Sequence, residues 1–223
     1  MTMPVKAGPE WPARKAKARA TRASVIDAAG DLFVEQGYLG TSVQAIADSA
    51  GVSRATVFNS VGGKLELLRA AFDVATVGDD EPVPLPQRPQ ALAVRAEPDP
   101  RRAVAGYAAM VTGVSSRVAG IYEAFRCAAG VDPRVRMQWT QIQQERFGGA
   151  KGFVGILSAK GPLRDGLTPE DAADLVWVLI DASLYHRLVV ERSWSTNRFQ
   201  TWLAATMEAQ LLPPDVNSAP SDI

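Results

Sequence analysis

The chain has 223 residues and a formal net charge of zero, with 24 lysines and arginines against 24 aspartates and glutamates. Its 47% apolar content is ordinary for a globular protein, and no apolar run approaches the ~20 residues needed to span a bilayer. Cys127 and His186 are the only residues of their kinds, which excludes an internal disulfide and leaves little for a metal cluster. We therefore expect a cytoplasmic protein with no membrane partner, no metal and no cofactor.

The basic charge is concentrated at the amino terminus. Residues 1–22 hold six cations and one anion, whereas residues 78–223 hold 15 cations and 17 anions. A basic arm of this kind suits the phosphate backbone of a nucleic acid. The alternative is a solvated tail without a partner. Because three prolines and no periodicity precede the first helix, we expect residues 1–17 to be disordered.

The first predicted helix runs from near Ala18 to about Gln36, and Gly37 follows as a helix stop. Two short helices joined by a tight turn are then predicted between Thr41 and Lys64, in the stretch TSVQAIADSAGVSRATVFNSVGGK. Gly51 stands at the turn, where a left-handed backbone is needed. The pattern is that of a helix-turn-helix, although an αα-hairpin inside a bundle has the same outline.

The second short helix favours the DNA-binding interpretation, because it carries few apolar residues and several polar ones. Together with the helix end LFVEQGYLGTS and the continuation GGKLELL, it resembles the DNA-binding domain of the TetR family of bacterial transcriptional regulators over roughly Arg22 to Phe72. Two positions depart from that family. Phe58 replaces its usual tyrosine, which removes a phosphate-binding hydroxyl, and Val61 replaces an aromatic residue.

The resemblance implies a set of DNA contacts and a set of partners. The expected base-edge contacts are Gln44, Arg54, Ala55, Thr56 and Phe58, and the expected phosphate contacts are Thr41, Ser42, Asn59, Ser60 and Lys64. The implied partners are a palindromic double-stranded operator, a small-molecule effector and a second copy of the chain, which would pair through Pro169–Arg192 and Thr196–Leu212.

A fourth helix is predicted from Lys64 to about Val77, followed by a proline-rich linker over residues 78–98 with a short helical turn at Ala91–Ala96. The remainder is helical by pattern. The predicted helices are Pro100–Arg117, Ala119–Ala129, Pro133–Ala159, Pro169–Arg192 with a bend near Asp181, and Thr196–Leu212. Four glycines between Gly148 and Gly155 predict either close packing of a neighbouring helix or a locally soft helix, and we favour close packing.

The predicted architecture is all-α. A three-to-four-helix helix-turn-helix domain (residues 18–77) precedes the linker, and a helical-bundle ligand-binding and dimerisation domain (99–212) precedes a disordered tail (213–223). No side-chain set predicts catalysis, so we expect a non-enzymatic protein. We place an apolar effector among six residues chosen by side-chain type and helix position: Tyr122, Phe125, Met137, Trp139, Trp177 and Tyr185.

The sequence therefore predicts a DNA-binding transcriptional regulator, most simply a repressor that a small apolar ligand releases from its operator. The alternative is a helical ligand-binding or protein-interaction module that does not read DNA. Phe58, Ser60 and Val61 are the residues that keep this alternative open.

Overall fold

A computed structural model describes residues 10–79 and 83–214. These residues form helices and connections and contain no β-strand, so the all-α prediction is confirmed. The chain divides into two compact units, Met1–Val74 and Ala75–Ile223. The domain boundaries predicted from the sequence stay predictions. The expected disorder of residues 1–9 and 215–223 lies outside the described residues.

Four helices belong wholly or partly to the amino-terminal unit: α1 (Glu10–Gly40), α2 (Val43–Ser49), α3 (Arg54–Ser60) and α4 (Lys64–Val77). Their core is made of fully buried apolar side chains, among them Phe33, Ile46, Val57, Leu67 and Leu68. Helix α1 begins at Glu10, not near Ala18 as predicted. The backbone leaves helical geometry at Gly37 (φ 70°, ψ 170°), the residue predicted to stop this helix.

The turn between α2 and α3 is specified by three small residues. Ser42 caps α2 by accepting a hydrogen bond from the Ala45 N–H at 3.0 Å, and Ser53 caps α3 by accepting one from the Thr56 N–H at 3.1 Å. Gly51 adopts the predicted left-handed backbone, with φ +66°. The two helices are therefore joined as a helix-turn-helix.

Six helices make up the rest of the carboxyl-terminal unit: α5 (Pro89–Ala96), α6 (Pro100–Ala129), α7 (Pro133–Ser158), α8 (Pro169–Leu179), α9 (Ala182–Tyr185) and α10 (Thr196–Leu211). Asp99, Asp132, Thr168 and Ser195 cap α6, α7, α8 and α10, since each side chain accepts a backbone N–H in the first helical turn. Helix α6 packs against α5, α7, α9 and α10, so it forms the centre of this unit.

Three details of this unit differ from the sequence prediction. The two helices expected on either side of residue 118 are one helix, α6, because buried residues continue through the expected break. The linker segment contains a 3₁₀ turn (Leu85–Gln87) and helix α5, since proline at a first helical position starts a helix without disrupting it. The bend expected near Asp181 is a full interruption, followed by a π-helical turn at His186–Glu191.

The glycine stripe of α7 was also predicted wrongly. A Cβ added at Gly148, Gly149, Gly152 or Gly155 would meet no atom within 4 Å among the described residues. The stripe therefore lies on an open face of the helix, and no other helix of residues 10–79 and 83–214 packs closely against it.

The turn geometry predicts opposite effects for the same substitution at two glycines of the amino-terminal unit. Gly51→Ala should lower the free energy of unfolding by about 1 kcal/mol, because a Cβ is strained at positive φ. Gly30→Ala, within α1, should be neutral or stabilising by roughly 0.5–1 kcal/mol, because its Cβ would meet only the Ala71 Cβ at 3.8 Å. Thermal unfolding midpoints check this. A Gly51→Ala protein as stable as Gly30→Ala would contradict the turn assignment.

Candidate DNA interface and ligand-binding region

Helix α3 has one buried side and one exposed side. Val57 is fully buried, whereas Arg54, Ala55, Phe58 and Asn59 are exposed. Their spacing places these four side chains on neighbouring positions of a single helical face. A seven-residue helix with one buried anchor and a polar, aromatic outer face suits contact with an external partner more than core packing.

Arg54 and Phe58 interact on this face. The Arg54 guanidinium carbon lies 5.5 Å from the centre of the Phe58 ring, and 45% of the Phe58 surface is exposed. A cation–π contact of this kind is weak at an exposed site, but it restricts where the guanidinium can point. Phe58, which lacks the hydroxyl usual at its position, therefore has an intramolecular role toward Arg54.

The other predicted contact residues surround this face. Ser42 and Gln44 are exposed on α2, and the Gln44 amide donates to Asp48 Oδ1 at 2.7 Å. Thr56 is half-buried, with its hydroxyl 2.8 Å from that of Ser53. Ser60 is also half-buried, and its hydroxyl donates to the Val57 carbonyl at 3.1 Å.

Thr41 needs a correction. Only 1% of it is exposed, and its hydroxyl lies 2.9 Å from the carbonyls of both Leu32 and Gly37. The Thr41 hydroxyl thus binds carbonyls near the end of α1 and is not available to a phosphate. Its polar character and position before α2 suggested surface exposure, because sequence spacing does not show which carbonyls a hydroxyl can reach.

Two contributors to this region were not predicted as site residues. Tyr38 is 7% exposed, and the Lys64 amine lies 4.5 Å from the centre of its ring and 3.5 Å from the Leu39 carbonyl. Arg22 donates from Nη1 to the Ser60 carbonyl at 2.6 Å, which ties the basic end of α1 to the end of α3. Both pairs join residues at least 25 positions apart, so local sequence spacing gives no signal for them.

Comparison with known proteins agrees with this geometry. A family model described as bacterial regulatory proteins, tetR family, matches residues 25–71. TtgW, an uncharacterized HTH-type transcriptional regulator of Pseudomonas putida, is 47% identical over 57 residues, which cover 26% of this chain and 42% of that relative. The amino-terminal segment of the chain therefore matches the TetR family. The matched segment spans less than half of that relative's length.

Two solved structures share the fold of this chain over most of its length. NalD, the secondary repressor of the MexAB-OprM multidrug efflux pump in Pseudomonas aeruginosa, superposes with a TM-score of 0.64 at 20% identity, covering 88% of this chain and 98% of that one. FadR from Bacillus subtilis, a transcriptional regulator solved with stearoyl-CoA, gives 0.61 at 17% identity, covering 83% and 96%.

In the carboxyl-terminal unit, four of the six predicted pocket residues gather around Arg146. Tyr122 packs edge-on against Trp139 with ring centres 4.7 Å apart, and Phe125 lies 6.0 Å from the same Trp139 ring. The Arg146 guanidinium lies 5.5 Å from the Tyr122 ring centre and 5.7 Å from that of Trp177. The Nε1 atom of Trp177 is buried without an acceptor among the described residues.

The remaining two predicted pocket residues lie elsewhere. Met137 exposes 69% of its surface, so it lies outside this aromatic cluster. Tyr185 packs against Phe199 with ring centres 5.1 Å apart, and its hydroxyl lies 3.0 Å from that of Thr196. The proposed pocket therefore reduces to the cluster around Arg146, and its use by a ligand stays a prediction.

Asp181 links this cluster to the interruption between α8 and α9. Its carboxylate accepts hydrogen bonds from the Tyr122 hydroxyl at 2.6 Å and the Ser183 N–H at 2.9 Å, and it lies 3.1 Å from Arg146 Nη1. Burial alone would raise the pKa of Asp181. The hydrogen bonds from Ser183 and Tyr122 and the charge of Arg146 outweigh burial and hold that pKa below its usual range. Burial raises the pKa of Tyr122, so its hydroxyl stays a donor.

A separate cleft of about 530 Å³ lies in the same unit and is lined by none of the six predicted residues. It runs between α5 and α6 and includes Val77 at the end of α4. Among the described helices, none is long and apolar enough to cross a membrane. Within the same residues, no group of His, Cys, Asp and Glu side chains has the arrangement of a metal site.

The Asp181 contacts predict a pH-dependent loss of stability. Because the folded-state pKa is lowered, the ionised carboxylate stabilises the fold above its usual pKa of about 4, and this contribution disappears as the pH falls through the folded-state value. Asp181→Asn should thus lower the free energy of unfolding at pH 7 by about 1–3 kcal/mol. The difference between the two proteins should shrink below about pH 4.

Unfolding midpoints measured across this pH range test the prediction. Asp165→Asn, at an exposed position between α7 and α8, is the matched control and should remain close to the wild type. A constant difference between wild type and Asp181→Asn at all pH values would show that the ionised carboxylate is not the source of the effect.

Proposed function

We propose that this chain is a sequence-specific, DNA-binding transcriptional regulator that acts as a repressor and is released by a small, largely apolar ligand. The observation that carries this proposal is the outward face of α3, where Arg54, Ala55, Phe58 and Asn59 are exposed around the buried Val57. The match of residues 25–71 to the TetR family model supports it, and so does the similarity in fold to the repressor NalD. We further propose cytoplasmic localisation and the absence of enzymatic activity.

We assign the DNA contacts from the exposure and the chemistry of each side chain. Base edges are contacted by Gln44, Arg54, Ala55, Thr56 and Phe58, and phosphates by Ser42, Asn59, Ser60 and Lys64. Arg54 is the strongest candidate for base recognition, since a guanidinium can bind guanine with two hydrogen bonds. The Phe58 ring restricts the position of this guanidinium, which reduces the entropy lost on contact.

A symmetric pair is required for useful specificity, because one seven-residue helix reaches few base pairs. We propose that two copies pair through Pro169–Arg192 and Thr196–Leu212. These segments expose Val178 and Val190 by 53% and 59%, and they carry partly buried apolar side chains such as Trp177, Leu184, Leu188 and Trp202. Such a surface is more apolar than a solvated helix face needs to be. Sedimentation showing a monomer at micromolar concentration would contradict this pairing.

The proposed ligand acts by favouring a conformation that binds DNA less well, since only differential binding can shift an equilibrium. The aromatic cluster around Arg146 supports an apolar ligand, and the Trp177 Nε1 atom supplies a donor for one polar group. FadR, whose fold is similar, was solved in complex with stearoyl-CoA, a molecule that carries a long apolar chain. By linkage, a ligand that releases operator must itself bind more weakly, by the same factor, when operator is present.

Two substitutions separate base recognition from phosphate binding. Arg54→Ala should reduce discrimination between operator and unrelated DNA by about 1–3 kcal/mol. Lys64→Ala should weaken binding to every sequence similarly, and should lower the slope of log affinity against log salt concentration by about one. Mobility shifts with DNA upstream of its own gene, repeated over a range of salt concentrations, measure both effects.

Arg134→Ala is the control, because Arg134 is a 73% exposed cation in the carboxyl-terminal unit and removing it changes the net charge equally. It should leave affinity, discrimination and salt slope at their wild-type values. If Arg54→Ala and Lys64→Ala behave like Arg134→Ala, the proposed interface is wrong. The alternative of a helical binding module without DNA readout would then be favoured.

A further inference from the structure

The cleft between α5 and α6 is elongated and mostly apolar. Its apolar lining comes from Val77, Leu85, Ala93, Val94, Met110 and Val114. The side of the cleft formed by α6 has only short side chains, because Gly106, Ala109 and Gly113 lie there at helical spacing. Arg102 and Arg117 both line the cleft, and fifteen residues of α-helix place them about 22 Å apart along α6. The dimensions therefore suit an extended apolar chain.

The two ends of the cleft differ in charge. At the first end, Arg102 lies near Asp99, and the Glu97 carboxylate, which also lines the cleft, accepts a hydrogen bond from the Asp99 N–H. At this end the two carboxylates of Asp99 and Glu97 thus outnumber the single guanidinium of Arg102. A third lining arginine, Arg88, forms a two-pronged ion pair with Asp79, with both N–O distances at 2.7 Å. Its charge is compensated as well.

Arg117 is the lining cation without a carboxylate partner among the described residues. Its Nε donates to the Ala75 carbonyl at 3.0 Å and its Nη2 to the Thr76 carbonyl at 3.1 Å, both in the last turn of α4. Gly78 has φ +94°, and a Cβ there would lie 3.4 Å from Arg117 Nε. The guanidinium is therefore held firmly against the end of α4.

The contacts to α4 leave part of the guanidinium available. Arginine has five N–H donors, and the two carbonyls of α4 use one on Nε and one on Nη2. Both donors of Nη1 and the second donor of Nη2 remain, which is the edge that binds a carboxylate with two parallel hydrogen bonds. Gly113 lies beside this edge, since a Cβ there would be 4.0 Å from Arg117 Nη1 and would meet nothing nearer.

We propose that this cleft is a binding site for a carboxylate carried on an extended apolar chain, with the carboxylate on Arg117 and the chain along α6. The volume of about 530 Å³ lies within the range of roughly 300–1,000 Å³ typical of small-molecule sites. The absence of a side chain at Gly113 leaves room beside Arg117. The Arg117 guanidinium has no carboxylate partner in the described part of the chain, so it favours a negative head group over a neutral or positive one.

The position of the site relates it to the proposed function. Arg117 would contact the ligand and the last turn of α4 at once, and α4 is the helix that begins in the amino-terminal unit and ends in the carboxyl-terminal one. We infer that the bound carboxylate acts as the effector, and this part of the inference rests on the proposed function. The binding site itself does not, and it can be tested without DNA.

The experiment measures binding of dodecanoate by titration calorimetry below its critical micelle concentration, with dodecanol and dodecyltrimethylammonium as neutral and cationic probes of equal chain length. Wild-type protein should bind one dodecanoate per chain and prefer it over dodecanol by about tenfold to a hundredfold, as expected for a charge-assisted contact. Arg117→Ala should reduce this preference to near unity. Gly113→Leu should weaken both probes at least tenfold, because its side chain fills the cleft. Gly148→Ala, on the open face of α7, should bind like the wild type.

Retention of the head-group preference in Arg117→Ala, or undiminished binding by Gly113→Leu, would overturn the proposal, as would equal binding of all three probes to the wild type. Thermal unfolding confirms that each variant is folded, and Arg117→Lys, which keeps the charge, should retain part of the preference. Operator affinity measured on the same samples separates the two proposals. If the protein binds DNA but not dodecanoate, only the proposal of a binding site in the cleft is wrong. If the protein binds dodecanoate but no DNA, the proposed function is wrong.

Discussion

The burial of Val57 is the contact on which the proposed DNA interface depends. Helix α3 has seven residues, and isolated helices of that length are not stable in water, so its orientation must come from its ends and its single buried side chain. Ser53 caps one end, and Arg22 binds the Ser60 carbonyl at the other. With these fixed, the opposite face has no intramolecular role except the stacking of Arg54 on Phe58. A helix so exposed is costly for a protein unless something binds it.

In the carboxyl-terminal unit, the interruption between α8 and α9 coincides with the cluster of polar side chains. Asp181 caps α9 and accepts the Tyr122 hydroxyl, while Arg146 binds both this acid and the Trp177 carbonyl. A buried ion pair contributes little stability when compared with apolar packing, but losing one partner is costly. The network therefore holds four helices, α6, α7, α8 and α9, in one arrangement. The cleft along α6 differs from this network, because the Arg117 guanidinium in the cleft keeps N–H donors that no described residue uses.

Sequence reasoning succeeded where the determinant is local. The turn at Gly51 and the helix starts at Pro100, Pro133 and Pro169 could be identified because turns and helix starts depend on neighbouring residues. It failed where distant contacts decide the outcome. The buried Thr41 hydroxyl, the open glycine stripe of α7 and the continuous α6 all depend on what lies opposite in space. The Arg117 contacts to α4 bridge about forty residues and have no local pattern.

The central claim is that two copies of α3 read a symmetric DNA site, and selection from a random double-stranded DNA pool tests it most directly. Wild-type protein should enrich an inverted repeat whose half-site centres are separated by a helical turn or a multiple of it, about 34 Å per turn. Arg54→Ala should enrich the same spacing with relaxed preference at one position in each half-site. Enrichment of no sequence by the wild type, or of a single unrepeated element, would contradict the account.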